Sequence, residues 1–187
     1  MPTFDPRTIA LVLIDLQRGI ATDDRAPLTG EQVVARAKDL AARFREANAP
    51  VIMVHVAFGE GEGPSHRVDT PRLPAGGTPP GFDDFVDGLR QPGDIVVHKR
   101  HWGAFTGTDL DQQLRRRGVR TVVIGGIATN MGVESTARSA WELSYDVVIA
   151  EDVCSSMSAE WHRFSVENIL PMISRVVPAE AIGFDIG

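Results

Sequence analysis

Along this chain, apolar β-branched runs alternate with stretches of helical period, separated by short Gly and Pro punctuation. That alternation predicts repeated βαβ units around a parallel sheet. The first run, Thr8-Ile9-Ala10-Leu11-Val12-Leu13-Ile14, is almost wholly apolar, as a strand covered on both faces is, and it stops abruptly at Asp15. From about Gly30 to Asn48, the residues Val33, Val34, Ala37, Leu40, Ala41 and Phe44 recur at three- and four-residue spacing, which predicts an amphipathic helix. Pro50 opens a second strand, Val51 to Val56, and Asp94 to Lys99 forms a third.

A helix follows from about Thr108, an N-cap candidate, to Arg117, with Gly118 at the position where a C-terminal glycine belongs. Thr121 to Ile124 reads as a fourth strand ending at Gly125-Gly126, Met131 to Leu143 as a helix, Asp146 to Ala150 as a fifth strand and Ala159 to Met172 as another helix. Ser174 to Val177 offers a sixth strand. Residues 58 to about 80 lack periodicity and hold many of the Gly and Pro residues, so they read as a long loop, either a lid over a pocket or a merely solvated segment. Neither an internal repeat nor a linker breaks the chain, and 1–187 reads as one domain.

Charge narrows the classes of function. The 19 Lys and Arg against 25 Asp and Glu leave a formal net charge of −6, without the basic stripe that a phosphate backbone demands, so nucleic acid is not expected as a partner. There is no apolar run of membrane-spanning length, and Met1-Pro2-Thr3-Phe4-Asp5 has neither a basic nor an apolar leader region. A cytoplasmic protein acting on a small molecule is the expectation. The single cysteine, Cys154, excludes an intrachain disulfide and a cysteine-based zinc cluster.

In a doubly wound sheet, ligands sit beyond the carboxyl ends of the strands, where strand order reverses. Asp15, Lys99 and the segment from Gly126 to Val133 all fall at such ends. At the mouth of an apolar crevice, desolvation would raise the pKa of Asp15 and favour a proton-donating form; the alternative is an Asp that caps the next turn. Lys99 would oppose that shift if it lay close, or else face solvent beside Arg100 and His101. The Gly125 to Val133 stretch looks too rich in small residues for a strand; its backbone N–H groups either face a negative charge at a helix start or form an ordinary tight βα turn. It is no P-loop, because no Gly-Lys-Ser/Thr follows. Cys154 reads as a small buried filler more readily than as a nucleophile, no His being close in sequence. Of the five histidines only His98 and His101 are closely spaced, which is a poor basis for a metal site.

Three motifs together resemble the isochorismatase-like hydrolases, the cysteine hydrolase group that includes nicotinamidases and N-carbamoylsarcosine amidases. They are Leu13-Ile14-Asp15-Leu16-Gln17, the run from Lys99-Arg100-His101-Trp102-Gly103-Ala104-Phe105 to Leu110, and Gly126-Ile127-Ala128-Thr129-Asn130-Met131-Gly132-Val133-Glu134-Ser135-Thr136-Ala137. The resemblance covers about Ile9 to Val177. It implies an α/β fold of three αβα layers with a six-stranded parallel, Rossmann-like sheet, a homo-oligomer (dimer or tetramer), an Asp, Lys and Cys triad, and a cis peptide at about Ile127-Ala128. By position, Asp15 is the general acid or base and Lys99 the activating lysine.

The cysteine of that triad falls at Gly132, so the covalent thioester route is closed at this position. The metal-binding Asp and His of nicotinamidases fall at Val56 and Phe58, which cannot ligate; neither metal nor other cofactor is expected. Isochorismatases resemble this chain in carrying Gly at the cysteine position, and hydrolysis of an enol ether needs no protein nucleophile. That resemblance makes Asp15 the proton donor, has Lys99 bind a carboxylate or orient Asp15, and gives Gln17 and the segment Asn130, Met131 and Gly132 the task of positioning water or substrate. Phe58, Trp102 and Phe105, with Ile127 and Ala128, complete the expected substrate wall, each aromatic being equally plausible as core. Where isochorismatases of siderophore and phenazine pathways carry an aromatic and a His before that Gly, this chain has Ala128-Thr129-Asn130, as amidase members do and as does a bacterial subgroup with Thr-Asn-Ile-Gly-Val-Glu-Ser-Thr-Ala. A family member that binds a ligand or partner without turnover stands as the other reading.

Overall fold

The computed structural model describes residues 3–65, 67–71 and 76–185. Its centre is a six-stranded sheet in which every neighbouring pair is parallel. In chain order the strands are β1 (Thr3–Phe4), β2 (Ile9–Ile14), β3 (Val51–Val56), β4 (Ile95–Lys99), β5 (Thr121–Ile127), β6 (Asp146–Ser155), β7 (Arg175–Val177) and β8 (Gly183–Phe184). The large sheet runs β4-β3-β2-β5-β6-β7, while β1 and β8 pair separately. The chain therefore winds outward from β2 in one direction, crosses back, and winds outward from β5 in the other. The reversal lies between β2 and β5, where their diverging connections leave a crevice.

Strand alternation divides the interior into two cores. Ile9, Leu11, Leu13, Met53 and Val123 face α1 (Gly30–Glu46), and Ala10, Val12, Ile14, Val54 and Ile124 face the layer of α2 (Leu110–Arg115) and α3 (Glu134–Glu142). These are the three layers that the resemblance implies. Helix α1 starts where expected because Thr29 and Gln32 form a reciprocal capping box, their side chains satisfying each other's backbone N–H groups. No helix among the described residues is long and apolar enough to cross a membrane.

Five boundaries differ from the sequence reading. β5 does not stop at Ile124: it continues through Gly125-Gly126 to Ile127, fully buried. Gly126 adopts φ +132°, and a β-carbon there would stand 2.1 Å from the carbonyl oxygen of Ile14, so the absent side chain is what lets β5 lie against the end of β2. β6 extends to Ser155 across a register shift, with Ile124 opposite Ile149 but Gly126 opposite Cys154. The predicted helix from Met131 begins instead as a π turn, Thr129–Val133, that passes into α3. The 159–172 segment breaks into α4 (Ala159–Phe164), a π turn (Ser165–Ile169) and a 3₁₀ turn (Leu170–Met172) that contains Pro171, which lacks the N–H a continuing helix requires. At α2, the N-cap position is Asp109; the hydroxyl of Thr108 accepts from the Leu110 N–H at 3.2 Å.

Candidate active site

Asp15 directly follows β2 and lies in the left-handed region, at φ +54°, a conformation that is costly for a residue with a β-carbon. Its N–H still donates to the Val54 carbonyl at 2.9 Å, so the chain leaves the sheet only after this residue. Lys99 ends β4, two strands away across β3, a lateral distance of roughly 10 Å at the usual strand spacing. The lysine stem spans that gap, and Nζ donates to Asp15 Oδ2 at 2.7 Å and to the His101 carbonyl at 2.9 Å. Both residues are buried. Asp15 Oδ1 has no hydrogen-bond partner among the described residues. Burial pushes the Asp15 pKa up to about 6, against the opposing pull of the Lys99 ammonium.

Gly132 faces the same carboxyl group. A β-carbon built on it would stand 3.2 Å from Asp15 Oδ2 and 2.9 Å from Ile14 Cγ2. The Ile127-Ala128 peptide preceding it is cis, where the resemblance implies a cis bond. Asp15, Lys99, Ile127, Ala128, Met131 and Gly132 line one cavity of about 160 Å³, with Trp102 at its wall. The reversal of strand order and the acid therefore coincide, as the sequence reading expects.

Four residues expected to contact substrate, Gln17, Phe58, Phe105 and Asn130, do not line this cavity. Gln17 is fully buried, but its amide forms a backbone clamp: Nε2 donates to the carbonyls of Val56 and Phe82, at 2.9 and 3.0 Å, and Oε1 accepts from the Val56 N–H at 2.8 Å. These bonds use both amide hydrogens, and Gln17 does not line the cavity. The Phe58 ring packs against Gly63 in the long loop, and Phe105 stacks obliquely on Tyr145 at 5.9 Å beside the core. Part of that loop, His66 and residues 72–75, lies outside the described residues. Asn130 accepts from the Ser156 hydroxyl and lines a broader outer groove of about 880 Å³, which shares Trp102 and Met131 with the inner cavity.

Sequence reasoning missed Arg25, Ile20, Phe82 and Met157, which also line the inner cavity. None follows a strand end or belongs to a motif, so no local signal marks them. A second omission is His162. The Thr129 hydroxyl gives its proton to the Ser155 carbonyl at 3.0 Å and so accepts from His162 Nδ1 at 2.8 Å, which ties α4 to the segment after the cis bond. Burial lowers the His162 pKa, favouring the neutral ring.

Cys154 is buried, as the filler reading has it, with its Sγ bonded to the Ala150 carbonyl at 3.3 Å and its thiol pushed up to about 12 by burial. A thiol so hard to ionise is a poor nucleophile. His98 Nε2 donates to the Ala57 carbonyl at 2.7 Å, and no group of three or more His, Cys, Asp or Glu side chains among the described residues is arranged to hold a metal ion.

A parallel sheet with a reversed strand order, a buried Asp and Lys pair at the reversal, and a glycine-opened helix start after a cis bond define a hydrolase-type fold of one family. The chain belongs to the isochorismatase family, whose domain matches residues 9–181. It is 48% identical over 185 residues to the isochorismatase family protein YecD of Escherichia coli O157:H7, covering 97% of this chain and 98% of that one. It is 44% identical over 174 residues to the isochorismatase family protein YwoC of Bacillus subtilis, covering 91% and 90%. A solved isochorismatase family protein from Burkholderia thailandensis superposes with a TM-score of 0.91 at 43% identity, over 97% of this chain and 96% of that one.

Proposed function

We propose that this protein is a hydrolase that works without a covalent intermediate, with isochorismate or a similar enol-ether acid as its substrate class. The observation that carries the reading is a buried carboxyl group, raised to about 6, whose free Oδ1 accompanies a lysine-paired Oδ2 in an apolar cavity that Gly132 leaves without a nucleophile. Asp15 donates its proton to the vinyl carbon, and the resulting oxocarbenium ion takes up water. The water gives a proton back to Asp15 as it adds, and the neutral hemiketal so formed collapses to pyruvate and the released alcohol, its hydroxyl proton passing to the departing oxygen. Lys99 holds the carboxyl in place and stabilises the carboxylate left after transfer. No step needs a thiolate or a metal-bound water.

The buried Asp15–Lys99 pair also supports a second reading, a family member that binds a small ligand and does not turn it over, because such pairs persist as structural elements. Incubation with isochorismate separates the two. Pyruvate release that Asp15→Asn abolishes establishes the hydrolase; stabilisation of the protein against heat by the ligand, with no product, establishes the binding protein. Trp141, Trp161, Phe164 and Met172 are exposed, which supports assembly into a homo-oligomer, to be read from sedimentation.

A further inference from the structure

We infer that Arg25 is the carboxylate-binding residue of the inner cavity, and that the site selects a small, largely apolar organic anion. The inference deepens the proposed function and rests on the same cavity being the ligand site.

Arg25 lies on the segment between Asp15 and α1. That segment is tied down at its far end, where Ala26 and Ser156 exchange backbone hydrogen bonds at 3.0 and 2.9 Å. Ser156 immediately follows β6, and β6 is separated from β2 by β5. The segment thus crosses above the end of β5, with Asp15 at one side of the crossing and Arg25 at the other. The cavity lies between them, floored by Ile127 and Ala128. An acid and a cation are therefore held on opposite sides of one small apolar space.

The surroundings of Arg25 leave its charge weakly matched. Its side chain is only 11% exposed, and Nε donates to the Ile20 carbonyl at 2.9 Å. Nη1 donates to the Met157 thioether at 2.9 Å, a weak acceptor, and approaches the solvent-exposed carboxylate of Asp24 at 3.2 Å. Nη2 makes no hydrogen bond among the described residues. Lys99, by contrast, is already paired with Asp15. A half-buried guanidinium with two free N–H groups and a thioether that a better acceptor would displace is suited to a carboxylate, which accepts two parallel bonds from the planar fork. Ile20, Phe82 and Trp102 supply apolar walls for the rest of the ligand.

Benzoate and benzamide are nearly the same shape and differ in charge, and neither contains an enol ether, so their binding can be measured apart from turnover. Isothermal titration of the full chain is expected to show benzoate bound more tightly than benzamide. Arg25→Met, which keeps the length of the apolar stem, is expected to weaken benzoate by about 10- to 100-fold and leave benzamide within about twofold. Arg25→Lys, which keeps the charge and serves as the folding control, is expected to weaken benzoate by only about 3- to 10-fold. Equal or absent binding of the two probes by the unaltered protein, or an undiminished preference for benzoate in either variant, overturns the proposal. A protein that prefers benzoate through Arg25 yet releases no pyruvate refutes the hydrolase reading alone. One that releases pyruvate without any such preference refutes the role of Arg25 alone.

Discussion

The β-carbon that Gly132 lacks would point at Asp15 Oδ2 from 3.2 Å, with the Ile14 methyl group already closer, at 2.9 Å. The position aims at the acid and has no room for a substituent unless Ile14 gives way. Gly132→Ala is therefore expected to destabilise the protein by about 1–3 kcal/mol through overpacking, and to lower turnover at least about tenfold by crowding the proton donor. Thermal melting and pyruvate release measure the two effects, and an unchanged rate would show that the glycine is dispensable.

A thiol placed at residue 132 would differ from the one the protein has. The unaltered chain is expected to resist iodoacetamide under native conditions, because Cys154 is buried and its thiol is held near 12. Gly132→Cys is expected to take up one label per chain at the new residue, located by peptide mass spectrometry. Cys154→Ala should leave turnover intact and cost about 1 kcal/mol or somewhat more of stability. Labelling at Cys154 in the folded protein would contradict its assignment as filler.

The pH dependence follows from the direction of the Asp15 shift. A carboxyl raised to about 6 is mostly protonated at pH 5 and mostly ionised at pH 7. As a proton donor it gives a kcat/KM that is flat at lower pH and falls about tenfold per unit above about 6. As a general base it would give the opposite slope. Asp15→Asn is expected to remove at least about 100-fold of the rate and all of this titration.

Gln17 offers a test of structural against ligand-binding roles. Gln17→Leu leaves the Val56 N–H, the Val56 carbonyl and the Phe82 carbonyl without their side-chain partner, which is expected to cost about 3 kcal/mol and lower the melting temperature by roughly 6–12 °C. KM should move little in the protein that remains folded. A large rise in KM with unchanged stability would return Gln17 to the substrate wall.

Much of the fold is legible because the central strands are covered on both faces, so the run before Asp15 is apolar without interruption and the one ending at Val56 is broken only by His55, and α1 announces itself by its spacing. The end of β5 was not legible. Gly125-Gly126 lowers strand propensity locally, and only the close approach to Ile14 and the pairing with Cys154 explain why the strand continues. Asp15, Lys99 and Gly132 were visible as unusual residues at strand ends and in motifs. Arg25 was invisible, since its place depends on a bridge between Ala26 and Ser156 that no periodicity encodes. Gln17 is marked by its place in a motif, but its hydrogen-bond partners come from two distant segments that no sequence pattern pairs with it.

The Ala26–Ser156 bridge has a consequence for how such a site can change. Asp15 and Lys99, to which we assign the proton transfer, stand at strand ends, where a shift would disturb the sheet. The Arg25 guanidinium stands on a crossing segment whose Ala26–Ser156 pairing uses backbone atoms alone. On the proposed assignment, ligand choice and reaction rest on separate supports, and a substitution at residue 25 is expected to change the preferred ligand charge without moving the acid.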